Sequence, residues 1–395
     1  MISEGNKKLI DEYIGNNPDC KLNQSRIETI HGDQVEVHGY RLPTKLVFFN
    51  INNGRFQTHY INLVKKYGGD MDSQKPADAE KIKNLLLTLD SKDGGLSIDS
   101  KRTMNDIKKK GQLELGIITQ DGFLIDGNRR MAVLQKLFDD EHDSKYEYIN
   151  VARIEQSILD KEMYAIEASV SLGMDPKVRY GPLNELLKLD QGLKIGYNAS
   201  EIANLLYGDI PEDEIKTKIS RLNLIQDYLK HFFKDAENLL LAEGKNEHFI
   251  ELQKILDLAK DKSITEKTKI RYAAFNLIYS GVSSDRLRII KFALNEEYDI
   301  TTLLKIADIT NVSEQKENDD DDDLEDEKTE SEVLFLNLED EVKAQKNSKS
   351  PSIILTHILN NFKALDYDQL DSTDSDVTFL ISSVLEHMKK LEMKL

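Results

Sequence analysis

The chain has 395 residues, 31% of them charged and 39% apolar, with no tryptophan and a net charge of −18. No apolar run approaches the roughly 18 residues of a membrane helix, and the opening MISEGNKKLIDEYIGNNPDC lacks the apolar core of a signal peptide. The single cysteine, Cys20, rules out an intrachain disulfide and a cysteine-based zinc finger, and the eight histidines show no metal-ligand spacing. A cytoplasmic protein without a membrane partner, divided into about two to four domains, is the expectation.

In chain order, the first forty residues read as helical and then turn-rich. VEVHGYRLPTKLVFFNI (36–51) alternates and is rich in β-formers, which predicts one or two strands. ADAEKIKNLLLTL (77–89) and SKRTMNDIKKKGQ (100–112) predict helices, the second ended near Gly111. LELGIITQDGFLIDG predicts strand, turn and strand, with the hairpin signal at Asp121-Gly122. A helix over 129–138 puts Val133, Leu134, Leu137 and Phe138 on one face, and YEYINVARI (146–154) closes the region as a strand. Residues 1–160 therefore form an α+β domain.

Beyond residue 160 the pattern is almost wholly helical. KEMYAIEASVSLG stops at Gly173, and GPLNELLKLDQGLKI starts with Pro182 at a favourable first-turn position. In ASEIANLLYGDIPEDEIKTKISRLNLI, a helix over 199–206 shows Ile202, Leu205 and Leu206 at helical spacing, and YGDIP is a turn. A second helix from Glu212 buries Ile215, Ile219 and Leu222 and presents Lys216, Lys218, Ser220 and Arg221 outward. Two short helices with a basic free face on the second form a helix-turn-helix pattern over 161–235, although any packed helix pair shares the spacing. Residues 236–310 add helices, one capped at Thr265 and stopped at Gly281.

Between Glu314 and Glu341 stand fifteen acids and two lysines, so the rest of the chain carries only about −5 and has room for a basic patch. Residues 311–350 read as a disordered acidic linker. It serves either solubility or as a strand mimic competing for the chain's own DNA surface. In 351–395 two helices follow. Val377, Ile381, Val384, Met388, Leu391 and Leu395 step as a heptad seam that pairs with a second chain or packs on the preceding helix.

The stretch with most chemistry is Asp126-Gly127-Asn128-Arg129-Arg130. Backbone N–H groups at a helix start favour an anion, Gly127 lets it approach the main chain, and arginine can grip phosphate oxygens with two donors. A basic pair at a helix N-terminus opposes the dipole, which an anion would explain. The alternative is that both arginines neutralise nearby acids such as Asp139 and Asp140. The G-x-x-x-x-G-K-[ST] phosphate loop is missing.

MNDIKKKGQLELGIITQDGFLIDGNRRMAVLQKL resembles the N-terminal domain of the ParB/sulfiredoxin superfamily, in which a helix and glycine precede a hairpin and a Gly-x-Arg-Arg-type box opens the next helix. FNINNGRF (49–56) is similar to the family's early Asn/Gln-x-Arg segment. EMYAIEASVSLGMDPKVRYGPLNELL is similar to the stretch with its Glu-Asn-x-x-Arg box, and 199–225 resembles its helix-turn-helix. The likeness covers roughly residues 40–230.

The resemblance implies a domain that binds a nucleoside triphosphate, CTP or ATP with Mg²⁺. Gly127, Asn128, Arg129 and Arg130 would cradle the phosphates and Arg55 would add a contact. Glu167 stands at the box acid and would hold Mg²⁺. Ala168 replaces the box asparagine, Arg179 lies further along than the box arginine, and Asn128 occupies the place where sulfiredoxin chemistry needs a cysteine.

The primary reading is a ParB-like, nucleotide-responsive DNA-binding protein of partition, phage or mobile-element biology, dimeric through its C-terminal helices. The second is a Mg²⁺-dependent NTPase or nuclease of a defence system, with Asp126 and Glu167 as catalytic carboxylates. The third is an interaction scaffold with an inactive ancestral site.

Overall fold

The computed structural model describes residues 4–89, 91, 94–170, 181–206, 210–295, 300–309, 330–348, 355–356, 358–359, 362 and 375–394. Chain contacts divide it into two compact units, Met1–Gln253 and Lys254–Leu395. The first unit is thus longer than the expected 1–160 domain and takes in the helix-turn-helix region.

In the first unit α1 (Glu4–Asn16) leads into β1 (Lys21–Ile30) and β2 (Asp33–Pro43). The expectation of a turn-rich segment after the first helix is corrected here: residues 21–43 form an antiparallel pair closed at Ile30↔Asp33. KLNQSRIETI has no clean alternation, since Ile27 is exposed while Glu28, paired with Arg26, is buried beside Ile30, so its β character is hidden in a mostly hydrophilic run. The 36–51 region keeps only one strand, since the chain leaves the sheet at Pro43 for a 3₁₀ turn, Thr44–Leu46.

The helices α2 (Gln57–Tyr67), α3 (Pro76–Thr88) and α4 (Ile98–Lys110) follow, α4 ending at Gly111 as its sequence predicts. The hairpin is β3 (Gly116–Ile118) and β4 (Leu124–Asp126). At its tip Gly122 has φ +87°, and a Cβ there would lie 2.4 Å from the Leu46 carbonyl oxygen, so only glycine fits. Then come α5 (Asn128–Glu141) and β5 (Tyr148–Arg153).

The sheet order is β1-β2-β5-β3-β4, antiparallel except for β3 beside β5. That parallel pair requires a crossover, which α5 supplies. Period-two alternation divides the core. Leu42, Ile118, Leu124, Ile149 and Val151 meet α1 to α5 on one face. Ile117, Ile125 and Ala152 face the other way, toward Ile166. Ile166 belongs to α6 (Asp160–Ala168), which covers that second face.

A third apolar cluster joins Tyr164 and Ala168 of α6 to α7 (Pro182–Lys194), α8 (Ala199–Leu205) and α9 (Glu212–Phe233). Gly192 of α7 allows the closest approach, because a Cβ there would stand 2.4 Å from the Tyr164 hydroxyl oxygen. The Gly173 stop, Arg179 and most of the YGDIP turn lie outside the described residues. The next helix, α10 (Asn246–Leu258), spans the boundary between the units.

The second unit contains α11 (Ile264–Tyr279), α12 (Ser284–Leu287), α13 (Ile289–Asn295), α14 (Thr301–Ala307), α15 (Glu330–Ser348) and α16 (Ser375–Glu392). The cap of α11 is Ser263, not Thr265: the Ser263 hydroxyl accepts from the Glu266 N–H, and the Glu266 carboxylate accepts from the Ser263 N–H. The 311–350 linker is corrected in its second half. Residues 330–348 are helical, and Phe335, Leu338 and Val342 are buried at helical spacing. Residues 311–329 lie outside the described residues.

Candidate functional site

The candidate site is built where β4 passes into α5. Gly127 caps the helix at φ +115° with no side-chain cap bond, and its Cα side faces the Gly116 backbone so closely that a Cβ would sit 3.3 Å from Gly116 Cα. The first turn of α5 carries no acid. The leading N–H groups of the helix therefore have no side-chain cap, which is the local condition for anion binding.

Asn128 is buried and acts as a clamp. Its Oδ1 accepts from the Asn50 N–H at 2.9 Å and its Nδ2 donates to the Asn50 carbonyl at 2.8 Å. This ties the 50–56 loop to the start of α5. Asn50 and Asn53 cap that loop internally, accepting from the N–H groups of Asn52 and Arg55. Asn184 of α7 closes it from the other side, accepting from the Thr58 N–H at 3.0 Å and donating to the Arg55 carbonyl at 3.2 Å. With its backbone held twice, Arg55 presents a half-buried guanidinium whose Nε is buried with no hydrogen-bond partner among the described residues. An unsatisfied cationic donor is costly unless an acceptor arrives.

The two arginines of the box have different positions. Arg130 is a strut: it donates to Asp126 Oδ2 at 2.7 Å and to the Glu114 carbonyl at 2.7 Å, back across the hairpin. Arg129 pairs with Asp99 of α4 at 2.9 Å, and Asp99 is half exposed. The acids that meet the pair are therefore Asp99 and Asp126, not Asp139 and Asp140, which bind Lys83 and Lys136.

Glu167 lies beneath the loop on α6. Oε1 accepts from the Gly54 N–H at 3.0 Å, and Oε2 is 2.7 Å from the Nζ of Lys188, a lysine with a fully buried side chain. Lys188 also donates to Gln191 and stands over the Tyr164 ring. Burial pushes the Tyr164 phenol far above its usual range, with the Glu167 charge adding to it. Both oxygens of the expected metal ligand are engaged, and an ammonium occupies the place of a cation. Asp126 is likewise held by Arg130. Among the described residues no three His, Cys, Asp or Glu side chains are grouped as a metal ion needs. The residues present do not fit a Mg²⁺ site built on Glu167.

Sequence reasoning missed Asn50, Asn184 and Lys188. The signal for the last two was present: Asn184 and Lys188 are one turn apart and fall among the apolar positions of α7, where polar groups need partners.

On α9, Lys216 and Ser220 face solvent as expected, Lys216 being 59% exposed. Lys218 and Arg221 do not. Lys218 is 13% exposed and lies between Glu185 of α7 and Glu214. Arg221 is turned inward, with Nε donating to Gln253 and burial lowering its basicity. The reason is that α7 and α10 cover the side of α9 that helical spacing alone leaves open. The exposed first turn of α9 carries Glu212, Asp213 and Glu214.

No helix among the described residues is long and apolar enough to cross a membrane. No family model matches the chain, and no curated protein matches it in sequence.

Proposed function

We propose that the protein is a ParB-like nucleotide-binding protein that takes CTP or ATP by its phosphates at the start of α5. The observations that carry this reading are an uncapped helix N-terminus at Gly127 and, on the loop that the Asn50–Asn128 clamp ties to it, an Arg55 Nε with no hydrogen-bond partner among the described residues. Backbone N–H groups of the α5 first turn and the Arg55 guanidinium are the phosphate donors. Arg129 joins them by exchanging Asp99 for a phosphate, while Arg130 holds the turn in shape.

Hydrolysis is the less supported reading, because Glu167 and Asp126, the carboxylates it requires, are bound to Lys188 and Arg130. A DNA-binding role for the α8–α9 pair rests on its two successive helices and on exposed Lys216, which pairs with Glu212, and Ser220. A homodimer through α16 completes the proposal.

The test is calorimetric titration of CTP, ATP and GTP, with and without Mg²⁺, into the wild type, Arg55→Ala and Arg129→Ala. Binding of one nucleotide, weakened at least about tenfold in Arg55→Ala, as loss of a charge-assisted contact demands, supports the proposal. No binding to the wild type, or equal binding to Arg55→Ala, refutes it.

A further inference from the structure

We infer that the exposed face of α4 is a binding surface for the phosphate backbone of a nucleic acid. Five of the ten residues 101–110 are basic in a chain whose net charge is −18. Ser100 and Ile107 are buried, so the opposite side of the helix is its free face. Arg102 and Lys109 lie along the middle of that face, two turns apart, and Lys101 and Lys108 run beside them at the same spacing. All four are exposed. Lys108 meets Glu141 of α5, whereas Lys101, Arg102 and Lys109 make no ion pair among the described residues.

The lysines of the last turn complement the helix dipole and would need no further explanation. Lys101 and Arg102 are different: they lie beyond the first turn of α4 and far from its C-terminal carbonyls, so the helix dipole does not account for them. Arg129 and Arg130 stand at the start of α5, and the Asp99–Arg129 pair brings the two helix starts together. Asp99 and Asp106 lie on one flank of the free face, and Asp99 is neutralised by Arg129. The result is a basic strip about two turns, or roughly 11 Å, long that adjoins the start of α5 and complements a polyanion in charge.

This surface is separate from α9, whose exposed first turn is acidic, and it does not depend on nucleotide binding at Gly127. The experiment measures binding of a fluorescein-labelled duplex and single strand of random sequence by the full chain across a salt series. It compares the wild type, Arg102→Glu with Lys109→Glu, and Lys8→Glu, an exposed lysine of α1, as a charge control. The exposed positions leave folding intact, which circular dichroism verifies. The expected result is wild-type binding that weakens about tenfold or more in the α4 variant, with a log–log salt slope shallower by about 2, and little change in Lys8→Glu. Absence of wild-type binding to either probe overturns the inference. So does an α4 variant that binds like the wild type, or a loss in Lys8→Glu as large as in the α4 variant.

Discussion

Lys188 shows how much one buried side chain can decide. Its ammonium is fully enclosed and held by Glu167, Gln191 and the Tyr164 ring, so removing one member of the pair leaves a charge stranded in the interior. Lys188→Met should cost about 3–5 kcal/mol in urea unfolding. The double variant Lys188→Met with Glu167→Gln should recover most of that loss, because the amide oxygen still accepts from Gly54 and no charge is left unpaired. A double variant as unstable as the single one would show that the pair has a role beyond mutual neutralisation. Tyr164 adds a pH signature. Its phenol donates to the Lys188 carbonyl and is held protonated in the fold, whereas an unfolded tyrosine releases its proton near pH 10. The folded state then binds more protons, so the stability present below pH about 10 declines as pH rises through it, at no more than about 1.4 kcal/mol per unit. Tyr164→Phe should flatten that alkaline decline in thermal melts, and an unchanged slope would assign it elsewhere.

Among the elements, α15 departs most from its sequence. The acidic run that suggests a solvated linker continues into a helix whose Phe335 is fully buried, with the Arg286 guanidinium over its ring and paired to Glu339. Phe335→Ala should destabilise the second unit by about 3–5 kcal/mol and shift its calorimetric transition; a loss below about 1 kcal/mol would restore the linker reading. The helix α9 teaches the converse. Ile215 and Leu222 are buried as periodicity requires, yet Lys218 is as enclosed as many apolar side chains because Glu185 reaches it from α7. Hydrophobic spacing identifies the apolar stripe of a helix but not how far neighbouring helices wrap beyond it.

At the scale of the whole molecule, α16 presents an exposed apolar face among the described residues. Ile381, Val384, Met388 and Leu391, the described members of the heptad seam, are all exposed, as are Phe379 and Leu385; the side chain of Val377 and Leu395 lie outside the described residues. An isolated helix of this length is marginal in water. The proposed pairing of two chains along the seam predicts that Ile381→Asp with Met388→Asp converts a dimer to a monomer in sedimentation at micromolar concentration. A monomeric wild type would rule the pairing out.

The sequence by itself determined what is local: the β4–turn–α5 unit, with glycine where φ is positive, the stop of α4 at Gly111, the amphipathic faces of α5, α8 and α9, and the α+β to all-helical order. Each depends on a few neighbouring residues, which carry their own turn chemistry and periodicity. Tertiary structure alone decided which charges remain available. Arg129 meets Asp99, Glu167 meets Lys188, and Arg221 meets Gln253, with each pair more than twenty residues apart. A charge's partner is set by which elements pack together, and no local spacing encodes that; for the same reason the strand at 21–30 is not legible locally, because its buried side carries the Arg26–Glu28 pair that only the folded sheet brings together.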